Sequence, residues 1–255
     1  MKISIIISTL NAERYLQECL DSIRSQIWRN YEVIIVDGAS VDGTLAIINQ
    51  NLDLIDRLLS EPDHGIYDAW NKAISLAAGD WLYFLGSDDY LFEDGSLSNV
   101  MKAILPLQEM PMVVYGKVAF LTVGGEVRIL GNHWHKAEKK MYSGMAIPHQ
   151  GVFHSKELFR RFGGFDASLL SAGDYKLIMR SMECSAPHFL EDCVVAVQRA
   201  GGKSGLRKNR LSVVLEFRRA QSELGRGITI RWIGMYIKGC IWFVISKFID
   251  PGAGK

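Results

Sequence analysis

The sequence predicts an α/β fold organised around a mainly parallel sheet flanked by helices. Two continuous β-branched runs, at Lys2–Ser8 and Tyr31–Val36, are typical of strands buried on both faces. Shorter runs at Asp56–Leu59 and Trp81–Leu85 predict two further strands. Helical spacing of apolar residues separates these runs, and strands that alternate with helices favour parallel pairing through right-handed crossovers.

Three helices are predicted between these strands. Asn11 precedes the first, whose apolar residues recur at helical spacing. We expect Asn11 to cap this helix and either Ser40 or Asp42 to cap the second, because short polar side chains bond the free amides at helix starts. The third helix is predicted over Ile66–Ala77.

The second half of the chain, residues 91–205, has a less regular pattern. A turn at Gly124-Gly125 predicts a hairpin, and Gly131–Gly144 is expected to be a polar loop. The switch from strand–helix units to hairpins near residue 90 suggests one domain, residues 1–205, with two functional halves. The elements predicted here are strands at Met112–Phe120, Glu126–Leu130 and His188–Val197, and helices at Ser155–Phe162 and Asp174–Met182.

Composition and cysteine usage are those of an ordinary globular protein. The chain has 255 residues, of which 48% are hydrophobic and 22% charged. Four scattered cysteines without a CxxC pair favour reduced thiols in a cytosolic compartment and argue against a disulfide framework or a zinc site. The N-terminal apolar run is only strand-length and leads into a charged helix, unlike a signal peptide.

The net charge of +1 hides a basic C-terminal segment. From Arg199 onward there are 12 Lys or Arg and 3 Asp or Glu, whereas the preceding residues hold 17 basic and 25 acidic side chains. A basic segment on an acidic body suggests an anionic partner, which could be phosphate groups, a membrane surface or nucleic acid.

Residues 206–255 are predicted to form a basic, apolar helical tail. Leu211–Leu224 is expected to be a basic amphipathic helix, and Ile228–Ile249 is about long enough to span a bilayer. That second stretch is interrupted by three basic residues, Arg231, Lys238 and Lys247. Because charges inside a span are costly, we favour a helix lying in the membrane interface, with core or oligomer contact and a spanning helix as alternatives.

Four polar loops follow the four strands predicted in the first half. Their sequences are STLN, DGAS, EPDHG and GSDD. In parallel sheets, ligands bind beyond the carboxyl ends of the strands. We therefore expect these loops to converge on one crevice.

Acidic residues in two of these loops are candidate ligand-binding groups. Asp37 ends a buried strand; its carboxylate could accept a hydrogen bond from a ligand NH group, with Gly38 allowing close approach, or could close a capping turn. Asp88 and Asp89 could bind a hard divalent cation or form a solvated turn. Their position in the predicted crevice favours the ligand-binding interpretation.

The second half adds an acidic residue and two histidine sites. Asp174 begins a predicted helix, so it is either the N-cap or a general base within reach of an acceptor hydroxyl. His149, beside Gln150, is either structural or functional. His133 and His135 have metal-binding spacing, but without a third ligand in the sequence pattern a flexible loop is favoured.

Several common enzyme motifs are missing from the sequence. No GxGxxG follows the first two strands, which weakens the case for a dinucleotide-dependent enzyme. A GxxxxGK[ST] motif is also missing, which excludes a P-loop, and so is the GxSxG of a nucleophile elbow.

Five segments, in a fixed order, carry a resemblance to a known family. They read ISIIISTLNAERYLQECLDSI, YEVIIVDGASVDGT, SEPDHGIYDAWNKAI, GDWLYFLGSDDYL and GGFDASLLSAGDYKLIMR. Together they resemble the family 2 glycosyltransferases of the bacterial polysaccharide and cell-surface glycan type, which are inverting enzymes of the GT-A fold. The resemblance covers residues 1–200. It implies a Rossmann-like sheet with a nucleotide-binding half at 1–90 and an acceptor half at 91–205, followed here by amphipathic helices.

The resemblance also implies roles for individual residues. Asp89 would ligate Mg²⁺ or Mn²⁺ between the donor phosphates, and Asp174 would be the catalytic base. His149 and Gln150 would lie on the acceptor side. The nucleotide-diphospho-sugar donor, most often a UDP-sugar in this family, would be bound by Thr9, Asn11, Asp37, Gly38, Asp68, Asn71 and Asp88.

The sequence departs from the family pattern at two positions. Trp70 stands where many members carry arginine, so the diphosphate charge would be compensated by Lys72 or by the basic segment Lys203–Arg210. Gly86 stands where many members carry aspartate. Asp88 and Asp89 are retained, so the implied metal site is kept.

The expected reaction is inverting sugar transfer to a hydroxyl of a glycan or a polyprenyl-diphosphate-linked acceptor, in cell-surface polysaccharide or lipopolysaccharide synthesis. The expected location is cytoplasmic, at the inner membrane face, with the tail on the membrane surface. No nucleic-acid partner is expected, and an oligomer is left open. The alternatives are a sugar-1-phosphate nucleotidyltransferase, which usually has a glycine-rich loop after its first strand, and a non-catalytic nucleotide-sugar-binding protein.

Overall fold

The first half of the protein alternates strands and helices as predicted. The computed structural model describes residues 1–201 and 210–249. In the first half β3, β2, β1 and β4 lie side by side in that order, and all are parallel. Their bounds, with the intervening helices, are β1 Ile3–Thr9, α1 Leu16–Arg24, β2 Tyr31–Asp37, α2 Thr44–Gln50, β3 Arg57–Ser60, α3 Ile66–Leu76 and β4 Trp81–Gly86.

The second half extends the same sheet with mixed strand directions. Beyond β4 the order is β8, β6, β9 and β5, and β7 pairs with β6. Among these pairs only β6 and β9 are parallel. The elements are β5 Tyr90–Leu91, α4 Ser96–Ile104, β6 Val113–Leu121, β7 Val127–Leu130, α5 Trp134–Met141, β8 Val152–Ser155, α6 Lys156–Phe162, α7 Gly173–Ser181, β9 His188–Arg199, α8 Arg210–Glu223 and α9 Ile230–Ile249.

The sheet is covered on both faces, which explains the continuous apolar runs of its strands. Ile3, Ile5 and Ile7 of β1 pack on the face covered by α1 and α4, whereas Ile6 packs on the face covered by α3, α7 and α8. All four side chains are fully buried. Each contributes roughly 1.5–3 kcal/mol by removal from water.

The predicted caps of the first two helices are wrong. α1 begins several residues beyond Asn11, which has a positive φ of 53° and accepts the Val41 amide with its side chain. The N-cap position of α2 is Gly43, rather than Ser40 or Asp42. Asp42 does accept a hydrogen bond from the amide of Thr44, the first residue of that helix, but Asp42 lies one residue before the N-cap position. The Asn11 side chain is thus used in a contact between two loops, which local helix signals do not encode.

In the second half one expectation fails, and one of the two alternatives for Asp174 is excluded. Gly131–Gly144 contains helix α5 rather than only a polar loop, because Ala137 and Met141 lie four residues apart and bury one helical face in the core. Asp174 is not an N-cap; that position belongs to Ala172. The Asp174 carboxylate therefore projects from the first turn of α7.

The two C-terminal helices lie against the preceding part of the chain. α8 packs on α7, and its Phe217 and Ala220 join the core under α3 and α7. α9 packs on α8, where Trp232 Nε1 donates to the Val214 carbonyl at 3.1 Å. None of the helices within residues 1–201 and 210–249 is both long and apolar enough to cross a membrane.

Candidate functional site

The loops that follow β1 to β4 meet at one edge of the sheet, as expected from its parallel order. The strand register places Thr9 beside Asp37, and Asp37 beside Ser60. Ser8 of β1 lies beside Gly86, the last residue of β4. The polar ends of four strands therefore form one continuous row.

Asp37 is the fully buried centre of this row. Its carboxylate accepts hydrogen bonds from the hydroxyls of Thr9 at 2.8 Å, Ser40 at 2.5 Å and Ser60 at 3.0 Å, and from the Ser40 amide at 3.0 Å. Burial by itself raises the pKa of Asp37, but these hydrogen bonds outweigh it and hold the pKa below its usual value. A ligand NH group must share or displace one of these hydroxyl donors to bond this carboxylate.

The loops after β1 and β2 are joined through Ser40. Its hydroxyl accepts from the Asn11 amide at 2.8 Å while donating to Asp37. Asn11 and Ala39 both have positive φ, at 53° and 61°, which is uncommon for residues with a side chain. Gly38 is also constrained, because a Cβ there would lie 2.5 Å from a carboxylate oxygen of Asp63 in the next loop.

Asp68 and Asn71 of α3 hold neighbouring chain segments in place. Asp68 accepts the His64 amide at 3.0 Å, just before the helix. Asn71 pairs with the backbone of Phe165 in both directions, with its amide donating at 2.9 Å and its carbonyl accepting at 2.8 Å. Lys72, the cation considered for the diphosphate, lies 2.9 Å from a carboxylate oxygen of Glu61.

Asp88 and Asp89 direct their carboxylates over Gly86. A Cβ on Gly86 would lie 2.7 Å from Asp89 Oδ2 and 3.0 Å from Asp88 Oδ1. Asp89 is only 3% exposed. Burial, together with the charge of Asp88, raises the pKa of Asp89 to about 7, although bonds from the Arg199 amide and the Gln150 side chain act in the opposite direction.

Sequence reasoning missed Arg199, the residue that fixes this acidic turn. Its amide donates to Asp89 at 2.8 Å, and its guanidinium donates to the Asp88 carbonyl at 2.6 Å. The guanidinium also lies 4.6 Å from the ring centroids of both Tyr15 and Tyr90. The sequence offered one indication of Arg199, namely its position just beyond the end of a predicted strand and at the start of the basic segment. No local motif marks it. Lys203–Arg210, the other predicted source of positive charge, lies outside the residues whose side chains are described.

The acidic turn fits a divalent cation shared with a phosphate ligand. Within residues 1–201 and 210–249 there is no cluster of three or more His, Cys, Asp or Glu side chains that could hold a metal. The two converging carboxylates nevertheless supply hard oxygen ligands, and their mutual repulsion is relieved by a cation. Mg²⁺ commonly takes one or two protein carboxylates and completes its shell with substrate phosphates and water.

The Asp174 carboxylate, in the first turn of α7, is held by Tyr67 of α3. The Tyr67 hydroxyl donates to Asp174 Oδ1 at 2.9 Å, and the Tyr175 amide donates to the same oxygen at 2.8 Å. Burial and the neighbouring Asp174 charge raise the pKa of Tyr67, so this hydroxyl keeps its proton and remains a donor. The pKa of His149 is lowered by burial, while the Asp174 charge acts in the opposite direction.

His149 and Gln150 are neighbours in the chain, and each is coupled to an acidic residue. The Gln150 side chain acts to lower the pKa of Asp89, whereas the Asp174 charge acts to raise the pKa of His149 against the effect of burial. His149 stacks on Trp70 with ring centroids 5.1 Å apart, and its buried Nε2 has no hydrogen-bond partner among the described residues. Trp70 also contacts Phe84, so the position that often carries arginine is here part of an aromatic cluster.

Comparison with known proteins identifies the family of the chain. The sequence model described as "Glycosyl transferase family 2" matches residues 4–146. A PGL/p-HBAD biosynthesis glycosyltransferase of Mycobacterium bovis (strain BCG / Pasteur 1173P2) is 34% identical over 209 residues, spanning 79% of this chain and 78% of that relative. The chain therefore belongs to glycosyl transferase family 2, and the class of enzyme is a glycosyltransferase.

Solved structures of glycosyltransferases share its architecture. S. aureus TarS 1-349 in complex with UDP-GlcNAc superposes with a TM-score of 0.68 at 19% identity, over 98% of this chain and 75% of that one. The mannosyltransferase PcManGT from Pyrobaculum calidifontis, in complex with GDP-Man and Mn²⁺, gives 0.66 at 19% identity, over 100% and 76%. The predicted GT-A fold is confirmed.

Proposed function

We propose that the chain catalyses inverting transfer of a sugar from a nucleotide-diphospho-sugar, with a UDP-sugar as the first candidate, to an acceptor hydroxyl. The observation that carries this proposal is a line of contacts that ends on Asp174: His149 stacks on Trp70, Trp70 contacts Tyr67, and Tyr67 holds the Asp174 carboxylate. Gln150, next to His149 in the chain, acts to lower the pKa of Asp89 through its side chain. A carboxylate pair suited to a phosphate-bound cation and another carboxylate suited to proton removal are thus related through neighbouring residues, and this combination suits inverting transfer.

The donor is assigned to the row of residues at the strand ends. We place the nucleotide against Thr9, Asn11, Asp37 and Gly38, where the β1 and β2 loops are tied together. The diphosphate then faces Asp88 and Asp89. Complexes of TarS with UDP-GlcNAc and of PcManGT with GDP-Man and Mn²⁺ support a nucleotide-sugar donor and a divalent metal.

Two residues proposed to bind the nucleotide-sugar, Asp68 and Asn71, form hydrogen bonds to the backbone of neighbouring segments. Asp68 stabilises the start of α3, and Asn71 fixes the loop that leads to α7. We therefore propose that they shape the donor pocket by holding its walls. His149 stacks on Trp70, which contacts Tyr67, the residue that holds Asp174. We therefore assign His149 and the neighbouring Gln150 to the acceptor side of the reaction.

In the proposed mechanism Asp174 removes the proton from the acceptor hydroxyl as that oxygen attacks the anomeric carbon. The hydrogen bond from Tyr67 and the amide of Tyr175 orient the carboxylate through Oδ1. General-base help of this kind is typically worth about 10²–10⁴-fold in rate. Asp89 would hold a Mg²⁺ or Mn²⁺ ion, which would supply electrostatic stabilisation of the departing diphosphate.

The acceptor is proposed to be a glycan or a polyprenyl-diphosphate-linked sugar at the cytoplasmic face of the inner membrane, in cell-surface polysaccharide synthesis. α9 supports this location, because Ile233, Ile237 and Ile241 recur every four residues and are all exposed. Arg231 and Lys238 are exposed on the same helix and would contact anionic headgroups.

A screen of nucleotide-sugars tests the donor assignment. UDP-, GDP- and dTDP-sugars are compared by thermal shift with and without Mn²⁺, and we expect one class to raise the melting temperature only when Mn²⁺ is present. Transfer of a radiolabelled sugar from that donor to bacterial lipid and glycan extracts is then measured. NMR of the product should show inversion of the anomeric configuration; retention would contradict the mechanism.

A further inference from the structure

The loop between α6 and α7, residues 163–172, determines where Asp174 is placed. It ends immediately before α7, whose second residue is Asp174. One end of the loop is fixed to α3, because Asn71 pairs with both the amide and the carbonyl of Phe165. The other end has its own anchor, which comes from a different element.

That second anchor is Glu216 of α8. Its two carboxylate oxygens accept the amide of Leu170 at 2.9 Å and the amide of Ser171 at 2.7 Å. The Leu170 side chain is 74% exposed and cannot hold this part of the loop by burial. Two charge-assisted hydrogen bonds to consecutive amides therefore fix the backbone three residues before Asp174.

Helix α8 holds the Glu216 carboxylate in place because the helix itself is fixed to the core and to α7. Phe217, next to Glu216, is buried in the core, and Gln221 donates to the Tyr175 hydroxyl at 3.0 Å. Lys176 of α7 is ion-paired with Glu223 at the end of α8. Helix α8 is thus bonded to the base-bearing helix as well as to the loop that precedes it.

We propose that Glu216 is a positioning residue for the catalytic base, acting through the backbone of Leu170 and Ser171. This inference depends on the proposed function, in which Asp174 removes the acceptor proton. Glu216 sets where α7 begins and therefore where the Asp174 carboxylate lies relative to the acceptor hydroxyl. It lies outside the residues 4–146 matched by the family model.

The test compares Glu216→Ala and Glu216→Gln with wild-type protein. Hydrogen–deuterium exchange should be faster at the amides of Leu170 and Ser171 in both variants. Transfer of radiolabel from the donor found in the nucleotide-sugar screen should lose kcat by about ten- to a hundredfold in Glu216→Ala, since small misplacements of reacting groups have effects of this size. Glu216→Gln, which keeps one acceptor oxygen, should lose less. The KM for the donor should stay unchanged.

Glu157→Gln is the matched control. Both carboxylate oxygens of Glu157 also accept hydrogen bonds, at 2.6 and 2.7 Å, but both come from the exposed Arg160 of the same helix. This variant should leave kcat and loop exchange unchanged. Wild-type kcat in folded Glu216→Ala, or a loss confined to donor KM, would overturn the proposal. If Glu216→Ala does not fold, Glu216→Gln decides by the same criteria.

A parallel Asp174→Asn measurement separates the two proposals. Full transfer by Asp174→Asn would refute the base assignment itself, whatever the Glu216 variants do. Loss of transfer in Asp174→Asn together with wild-type kcat in the Glu216 variants would refute only the positioning role.

Discussion

At the scale of single residues, the absence of a side chain on Gly86 leaves room for the carboxylates of Asp88 and Asp89. The site where a side chain would begin is occupied by the Asp88 and Asp89 carboxylates, so an aspartate at position 86 could not be accommodated beside them in this arrangement. The glycine that stands here in place of the family's aspartate is therefore consistent with the orientation of the Asp88 and Asp89 carboxylates.

Gly86→Ala should weaken metal-dependent donor binding with little effect on stability. The new Cβ would displace the ends of two side chains, which can rotate away, but those ends are the proposed metal ligands. We expect the Kd of UDP measured by calorimetry with Mn²⁺ to rise about tenfold, which corresponds to about 1.4 kcal/mol. Gly124→Ala is the control, since its Cβ would be 3.9 Å from Thr122 Oγ1. Equal Kd values for the two variants would contradict this account of the turn.

Tyr67→Phe tests the orientation of Asp174. The ring contacts with Trp70 and Phe165 are kept, whereas the hydrogen bond to the carboxylate is lost. Hydrogen bonds to charged groups are worth about 1.5–3 kcal/mol, so kcat should fall by about tenfold or more in the radiolabel transfer assay. Tyr31→Phe, which removes a bond to the carbonyl of Ile23 far from the crevice, should retain kcat. Unchanged turnover in Tyr67→Phe would count against the proposed role of this bond.

At the scale of elements, an ion pair with a definite pH dependence links the loop between α6 and α7 to helix α7. Asp166 lies 2.7 Å from Lys176, and although burial raises the pKa of Asp166, the bonds from Lys176 and Ser168 lower it to about 2. A depressed folded-state pKa stabilises the protein above the unfolded value near 3.9, and this stabilisation is lost as the pH falls toward 2.

Asp166→Asn should therefore lower the free energy of unfolding at neutral pH by roughly 1 kcal/mol, allowing for solvent screening of this partly exposed pair. Urea unfolding at about pH 7 and about pH 3 measures the difference from wild type, which should shrink at the lower pH because Asp166 is then protonated mainly in the unfolded state while it stays largely ionised in the folded state. The substitution preserves the oxygen that accepts from Ser168. A difference that does not change with pH would show that the ion pair contributes nothing.

The exposed face of α9 is the element that tests membrane association. Ile233, Ile237 and Ile241 are each about half exposed, at 44%, 53% and 52%. Replacing all three by serine should abolish sedimentation with anionic phospholipid vesicles while leaving the melting temperature unchanged, because these side chains are not part of the buried core.

The matched control replaces three exposed apolar residues of the β6–β7 hairpin, Val123, Val127 and Ile129, by serine. That variant should sediment as wild type does. Loss of vesicle binding in the control, or its retention in the α9 variant, would show that α9 is not the membrane contact.

At the scale of the whole molecule, periodicity in the sequence was enough to predict the first half of the fold. β1, β2 and β4 carry strong apolar runs, and the parallel order of β1 to β4 brings four polar loops together by geometry alone. α5 was missed because its burial depends on only two apolar side chains between polar ones. The cap of α1 was misplaced because Asn11 bonds Val41 of another loop.

The sequence allowed the residues of the candidate site to be predicted only where a motif lies next to the end of a strand. Asp37, Asp88 and Asp89 stand at such positions, but apart from Ser40, which bonds Asp37, the partners named above for Asp37 and Asp89 come from distant parts of the chain. Arg199 is 110 residues from Asp89, and Glu216 reaches Leu170 across 46 positions. No local pattern encodes contacts of this kind.

The most direct test of the central claim is calorimetric titration of UDP and of GDP into wild-type protein and Asp89→Ala, each with and without Mn²⁺. Asp53→Ala, which removes an exposed ion pair with Arg24, serves as the control for loss of an acidic side chain. We predict Mn²⁺-dependent binding of one nucleotide to wild type and to Asp53→Ala, and none to folded Asp89→Ala. Mn²⁺-dependent binding of equal affinity to Asp89→Ala would contradict the assignment of the metal and donor site.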